Sequence, residues 1–147
     1  MTYPRWTWLS TFTLSVIGLG ISVYLSIEHA TSAKSFACPE SATINCVKVT
    51  TSAYSKAAGI PVAYLGLAFF LAAVVIFSPW GWRITPAIGR WIRLGSVTVG
   101  LGMIVYLVWA ELYRIHAICL WCTGVHVVTF LLFAITVLAE AAGPTTP

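Results

Sequence analysis

Long apolar runs, each about the length of a bilayer-crossing helix, dominate the chain. We predict spans over residues 8–27, 60–77, 94–113 and 117–138, because a helix needs about 20 mostly apolar residues to cross a bilayer. The runs lack the alternation of apolar and polar positions that a membrane β-barrel requires, so helices remain. Tryptophans stand at the ends of the runs, where interfacial aromatic belts lie: Trp6, Trp8, Trp80, Trp82 and Trp91.

The composition supports a membrane protein. The 147 residues are 59% hydrophobic and 8% charged, whereas soluble domains carry roughly 25% charged residues. This balance excludes a soluble enzyme and a disordered linker. The basic residues are scattered singly, so the net charge of +4 gives no reason to expect a nucleic acid partner. We predict an all-α integral membrane four-helix bundle with a long external loop, forming a single domain over residues 1–147.

The connections between the runs suggest an orientation. The first, residues 28–59, is long and polar, the second contains Arg83, Arg90 and Arg93, and the third is very short. Four spans place both termini on one side and the first and third connections together on the other. The arginine density of the second connection favours the cytoplasm. We therefore expect a multi-pass protein of the inner (cytoplasmic) cell membrane, with cytoplasmic termini and the long loop outside.

All four cysteines fall on the predicted outer side. Cys38 and Cys46 lie in the long loop, and Cys119 and Cys122 form a Cys-x-x-Cys at the start of the last run. A thiol at a helix N-terminus is stabilised as thiolate by the helix dipole. One pair is thus reachable from water and the other by a lipid-soluble oxidant, so the two pairs could pass electrons by thiol–disulfide exchange.

Other uses of four cysteines remain open from spacing alone. Two structural disulfides would staple the loop, and a four-cysteine zinc site is a second alternative, although the seven residues between Cys38 and Cys46 suit zinc poorly. A c-type haem would need histidine directly after the Cys-x-x-Cys, where Thr123 stands. We predict no metal.

Two ionisable residues near the last cysteines are candidates for proton or quinone chemistry. Glu111 lies two helical turns before Cys119, and an acid at membrane depth is often functional, although pairing with Arg114 is an alternative. His126 lies one turn beyond Cys122 and could bond a quinone oxygen or a neighbouring helix.

Over about residues 18–130, the chain resembles the vitamin K epoxide reductase family and its bacterial homologues. The resemblance rests on the four runs, the loop cysteine pair and the later Cys-x-x-Cys, together with the stretches at 22–25, 49–52, 59–61 and 105–109. The order of the cysteines separates the chain from Dsb-type quinone-linked thiol oxidases, whose Cys-x-x-Cys lies in the first external loop.

The resemblance implies roles for individual residues. Cys119 and Cys122 resemble an active pair beside a quinone of the menaquinone, ubiquinone or vitamin K type, with Cys122 facing the ring. Cys46 would exchange with Cys119, and Cys38 would meet a thioredoxin-like extracytoplasmic partner. Ser52 matches the hydroxyl residue that hydrogen-bonds the quinone. A short interfacial helix around residues 51–58 would cap the pocket.

The implied function is transfer of electrons from that partner to the quinone, which supports disulfide formation in exported proteins. Animal enzymes of the family have a tyrosine where this chain has His126, and an asparagine in the second span, where residues 71–77 here are wholly apolar. These departures favour plain quinone reduction over a vitamin K epoxide or naphthoquinone reductase. A non-catalytic membrane subunit with structural disulfides is the alternative from another class.

Overall fold

The fold comes from a computed structural model, which describes residues 3–31, 37–84 and 86–144. Four main helices are joined by shorter elements. In chain order the elements are α1 (Arg5–Thr31), α2 (Cys46–Thr51), a 3-10 turn (Ala53–Ser55), β1 (Lys56–Ala57), β2 (Ile60–Pro61), α3 (Val62–Ile76), a second 3-10 turn (Gly81–Arg83), α4 (Pro86–Ala110), a π-helical turn (Glu111–Ile115) and α5 (Leu120–Ala142). The two short strands pair antiparallel.

Within the described residues, three helical segments are long and apolar enough to cross a membrane: α1, α5, and α4 continued by its π turn (Ala87–Ile115). The all-α membrane class is therefore confirmed. Helix α3 has 15 residues, about 22 Å at 1.5 Å per residue, whereas the hydrocarbon core of a bilayer is about 30 Å thick. The second predicted span is thus an apolar helix of less than membrane length.

Helix α1 packs along both α3 and α5, and α5 also packs along α4. Small residues permit these close approaches, as is usual between helices in lipid. The ring of Phe70 in α3 occupies the space where a side chain at Gly18 would begin, and a Cβ at Gly100 would lie 2.8 Å from the ring of Phe69. Helices α3 and α4 meet over a much shorter length, which leaves room between them.

A buried polar cluster joins Tyr3 to Arg93 and to Glu140 in the last turn of α5; we call it the Arg93 cluster. Arg93 donates through Nε to Glu140 Oε1 at 2.6 Å and through Nη1 to the Gly81 carbonyl at 3.0 Å. The Tyr3 hydroxyl donates to Glu140 Oε2 at 2.7 Å, and the Arg93 guanidinium lies 4.3 Å from the Trp82 ring centre. Tyr3 and Glu140 therefore lie together at the end of α5 opposite Cys119.

Arg93 belongs to a helix and not to the second connection, where the sequence analysis placed it. Helix α4 begins at Pro86, because proline suits the first helical position, where its missing N–H costs nothing. This earlier start turns Arg93 into the interior, and only 1% of its surface is exposed.

Candidate active site

The loop that carries Cys46 is fastened to the segment that carries Cys119. The Ile118 N–H donates to the Thr43 carbonyl at 2.8 Å, and the Asn45 N–H donates to the Ile118 carbonyl at 3.1 Å. These bonds form a parallel bridge between Ile44 and Ile118. Cys46 lies two residues after Ile44 and Cys119 follows Ile118 directly, so the two cysteines meet in one buried cluster, with 1% and 0% of their surfaces exposed.

Helix α2 begins at Cys46 because Asn45 caps it. The Asn45 side-chain oxygen accepts from the Lys48 N–H at 2.8 Å, which satisfies one of the free N–H groups of the first turn. The sequence analysis placed a helix around residues 51–58, and that placement is wrong. The α-helix ends at Thr51, and only a 3-10 turn and the strand β1 follow.

The two cysteine pairs are in different oxidation states. Cys38 and Cys46 form a disulfide, with their Cα atoms 6.3 Å apart, whereas Cys119 and Cys122 are free thiols. The disulfide removes two of the ligands that a four-cysteine zinc site would need. Two permanent structural disulfides do not match this arrangement either, because the second pair is reduced.

Cys119 is the N-cap of α5, and its sulfur accepts a hydrogen bond from the Cys122 backbone N–H at 3.2 Å. The pKa of the Cys119 thiol is lowered, mainly because the Cys122 side chain donates a hydrogen bond to it. Backbone N–H groups of the first turn act in the same direction, against the effect of burial. A thiolate is therefore favoured at Cys119, the thiol that lies against the loop.

Cys122 and His126 both face a pair of small cavities between α5 and the loop. One has a volume of about 70 Å³ and also contacts Ser22 and His29. The second, of about 40 Å³, is lined in addition by Ser52, Tyr54 and Glu111. The structure thus places four candidate residues from the sequence around one space: Cys122, His126, Ser52 and Glu111.

A larger apolar cavity of about 300 Å³ lies where α3 and α4 diverge, beside α5. Its lining shares four residues with the 70 Å³ cavity, namely Val62, Gly66, Leu107 and Val125. Val62 and Leu107 line all three cavities. The three spaces therefore lie side by side, with these two side chains at their common border.

Ser52 caps the C-terminal end of α2, and its hydroxyl donates to the Val49 carbonyl at 2.8 Å. It can donate to a quinone oxygen only after this hydroxyl rotates away from Val49. Its position on the cavity wall depends on the turn that follows α2, which is stabilised by a bond from the Ser55 hydroxyl to the Ser52 carbonyl at 2.7 Å.

Glu111 is buried beside the reduced thiols and does not pair with Arg114. The π turn that starts at Glu111 widens the end of α4, and His116 takes a left-handed conformation with φ of 52°. The chain thereby folds back so that the Cys119 backbone N–H donates to the Glu111 carboxyl group. The Arg114 guanidinium instead lies 5.2 Å from the Trp109 ring centre.

Two aromatic residues near the site were missed by the sequence analysis as functional candidates. Tyr24 in α1 and Trp121 in α5 have ring centres 4.7 Å apart, and both bond the backbone of Ala37, next to Cys38. The one available signal was the position of Trp121 between the two cysteines of the Cys-x-x-Cys.

The cysteines gather in one cluster, in which Cys46 and Cys119 are buried and Cys38 and Cys122 are partly buried. Together with membrane-length apolar helices and adjoining apolar cavities, this cluster defines a membrane thiol-redox protein. The sequence model of the vitamin K epoxide reductase family matches residues 5–137, and the chain belongs to this family. It is a membrane oxidoreductase, and the resemblance found from the sequence is confirmed. A comparison with curated proteins finds no significant match.

Proposed function

We propose that the protein oxidises the dithiol of a thioredoxin-like partner outside the membrane and passes the electron pair to a lipid-soluble quinone. One observation carries this proposal: the loop disulfide and the reduced Cys-x-x-Cys pair share one buried cluster, with Cys46 and Cys119 side by side. Thiol–disulfide exchange is faster when the displaced sulfur belongs to a thiol of low pKa, and the pKa of Cys119, which is displaced in the last exchange of the proposed cycle, is lowered.

The proposed cycle starts with both pairs oxidised. A partner thiolate attacks Cys38, and Cys46 leaves as a thiolate. The second partner thiolate then resolves the mixed disulfide, so the partner departs oxidised and Cys38 is released. Cys46 attacks Cys119 and displaces the Cys122 thiolate. Attack by Cys38 on Cys46 restores the loop disulfide and releases Cys119.

These exchanges move one electron pair from the partner to Cys119 and Cys122 and create no net charge. Their end state has the loop disulfide and two free thiols, which is the arrangement present in the structure. The Cys119–Cys122 disulfide then forms again, and its two electrons, with two protons, convert the quinone to the quinol. Cys122 faces the cavities and is the thiol that we assign to this step.

The cavities fit an elongated apolar ligand with a polar head. Ligand pockets usually have volumes of roughly 300–1,000 Å³, and the cavity between α3 and α4 reaches about 300 Å³. The 70 Å³ space beside Cys122 is smaller, so a ring seated there needs Val62 and Leu107 to move aside and join the spaces. We assign His126 and Ser52 as donors to the quinone oxygens, and Glu111 as a source of the protons.

We further propose that the cysteine cluster faces the outside and the termini face the cytoplasm. Pairs that must become oxidised suit an oxidising compartment. The exposed basic residues of the described chain are equally numerous at the two ends, with Arg5, Arg83 and Arg90 at one and Lys48, Lys56 and Arg114 at the other, so this orientation rests on the redox requirement of the cysteines.

Single cysteine variants test the proposed function. We expect Cys119→Ala and Cys122→Ala to abolish oxidation of dithiothreitol that depends on a short-chain ubiquinone or menaquinone. Cys38→Ala should keep dithiothreitol oxidation but lose oxidation of reduced thioredoxin, because a small dithiol can reach Cys119 and Cys122 without the loop. Full quinone reduction by either Cys119→Ala or Cys122→Ala would refute the proposal. Replacing the quinone by vitamin K epoxide in the same assay tests the epoxide alternative.

A further inference from the structure

Ala37, the residue before Cys38, is held by side chains of two different helices. The Ala37 N–H donates to the Tyr24 hydroxyl at 3.2 Å, and the Trp121 indole N–H donates to the Ala37 carbonyl at 3.1 Å. Both backbone polar groups of the residue before Cys38 are therefore engaged. The rings of Tyr24 and Trp121 pack against each other, with centres 4.7 Å apart. The hydroxyl that accepts from Ala37 and the indole N–H that donates to it therefore belong to one aromatic pair.

Trp121 also links this contact to the reduced pair. It belongs to the first turn of α5, between Cys119 and Cys122, and it packs against the buried cluster that contains Cys46 and Cys119. The position of Cys38 relative to that cluster is thus set partly by a residue of the Cys-x-x-Cys itself.

The two cysteines of the loop disulfide are restrained in different ways. Cys46 is fixed by the bridge to Ile118 and by the Asn45 cap, and neither involves the disulfide. Cys38 is bonded to Cys46 by the disulfide. The residue before Cys38, Ala37, forms hydrogen bonds with Tyr24 and Trp121. These two hydrogen bonds involve Ala37 and not the cysteine sulfurs, so opening the disulfide does not by itself break them.

We infer that Tyr24 and Trp121 are positioning residues that keep reduced Cys38 beside Cys46 after the loop disulfide has opened. The inference rests on the proposed function and names the residues that control its internal exchange step. In that step the Cys38 thiolate attacks Cys46 in the Cys46–Cys119 disulfide. The Cys38–Cys46 bond forms, the Cys46–Cys119 bond breaks, and Cys119 leaves as a thiolate with no net gain or loss of electrons. Holding the thiolate near its target raises its effective concentration.

The internal equilibrium can be measured without quinone or partner in a Cys122→Ser background. That chain has three cysteines and forms one disulfide at a time, which is Cys38–Cys46, Cys46–Cys119 or Cys38–Cys119, and the exchange step interconverts the first two. The ratio of these two isomers, read by alkylation of the free thiol and peptide mass spectrometry, reports how well Cys38 is held.

Tyr24→Phe keeps the six-membered ring and removes the hydroxyl that accepts from the Ala37 N–H. Trp121→Phe replaces the indole by a smaller aromatic ring and removes the N–H that donates to the Ala37 carbonyl. We expect each to shift the ratio about fivefold toward Cys46–Cys119, as for the loss of one hydrogen bond, and the double variant to shift it further.

Matched controls are Tyr113→Phe and Trp91→Phe, which make the same chemical changes at exposed positions of the π turn and α4. These should leave the ratio unchanged. In the chain with all four cysteines, the Tyr24 and Trp121 variants should slow oxidation of reduced thioredoxin more than oxidation of dithiothreitol.

An isomer ratio that is the same in both variants and in the controls would overturn the inference, even if quinone reduction by the unaltered protein is established. Conversely, a shifted ratio in a protein that reduces no quinone would support the positioning role and refute the proposed function alone.

Discussion

Replacement of Glu140 by glutamine should destabilise the protein strongly, although this residue lies at the opposite end of α5 from the cysteines. The Glu140 carboxylate accepts from Arg93 Nε at 2.6 Å and from the Tyr3 hydroxyl at 2.7 Å, one bond at each oxygen. Glutamine has a single carbonyl oxygen, so its NH₂ group would face one of these two donors. The Arg93 guanidinium would keep its charge in the interior without a carboxylate.

The expected loss in the free energy of unfolding is about 3–5 kcal/mol, the usual cost of removing one partner of a buried ion pair. The side chains of Arg93 and Glu140 are only 1% and 2% exposed, so solvent screens the pair little. Joint replacement by Arg93→Met and Glu140→Leu should cost much less than the single change, because no buried charge then remains.

Reversible unfolding in mixed micelles, with a double-mutant cycle, measures both quantities. Glu40→Gln is the matched control, because it makes the same change in an exposed loop carboxylate and should have almost no effect. The reasoning is refuted if Glu140→Gln loses less than about 1 kcal/mol, or if the double variant is as unstable as the two single effects added together.

Two further predictions concern the thiol site. Glu111→Gln should lower kcat for quinone reduction by about 10²-fold or more, the usual contribution of a general acid. It should also remove the fall in rate that accompanies ionisation of Glu111 as the pH rises, because a glutamate that donates a proton stops working once it ionises; an unaltered pH–rate profile would exclude this role. In chains that also carry Cys38→Ser and Cys46→Ser, the thiolate of Cys119 should form at lower pH in Cys122→Ser than in Cys122→Ala, because serine retains a side-chain donor. Ultraviolet absorbance of the thiolate measures this, and equal midpoints would contradict the assigned cause.

The membrane class and the cysteine pairs could be predicted because both leave local signals in the sequence. Apolar runs mark the helices, but hydropathy does not mark where a helix ends. Helix α1 continues through Glu28 and His29 to Thr31, since polar residues at the end of a span can extend a helix into water. The helix that begins at Cys46 was also marked, by the capping residue Asn45, and that signal was overlooked in favour of the family resemblance.

The remaining features depend on contacts between distant parts of the chain. Arg93 and Glu140 are separated by 47 positions, and no periodicity relates them. Ala37 has an unremarkable side chain and takes part only through its backbone, so its contacts with Tyr24 and Trp121 leave no pattern to read. The burial of Glu111 follows from the π turn and the left-handed His116, which fold the chain back toward Cys119.

Under the proposed function, the disulfide in the loop and the two free thiols of the Cys-x-x-Cys mean that a single molecule in this state carries the two electrons that reduce one quinone. Mixed rapidly with quinone and no external thiol, such a population would release a burst of one quinol per chain and then stop. The amplitude of the burst would therefore count competent molecules. The later steady rate would measure only how quickly an external dithiol reduces the protein again.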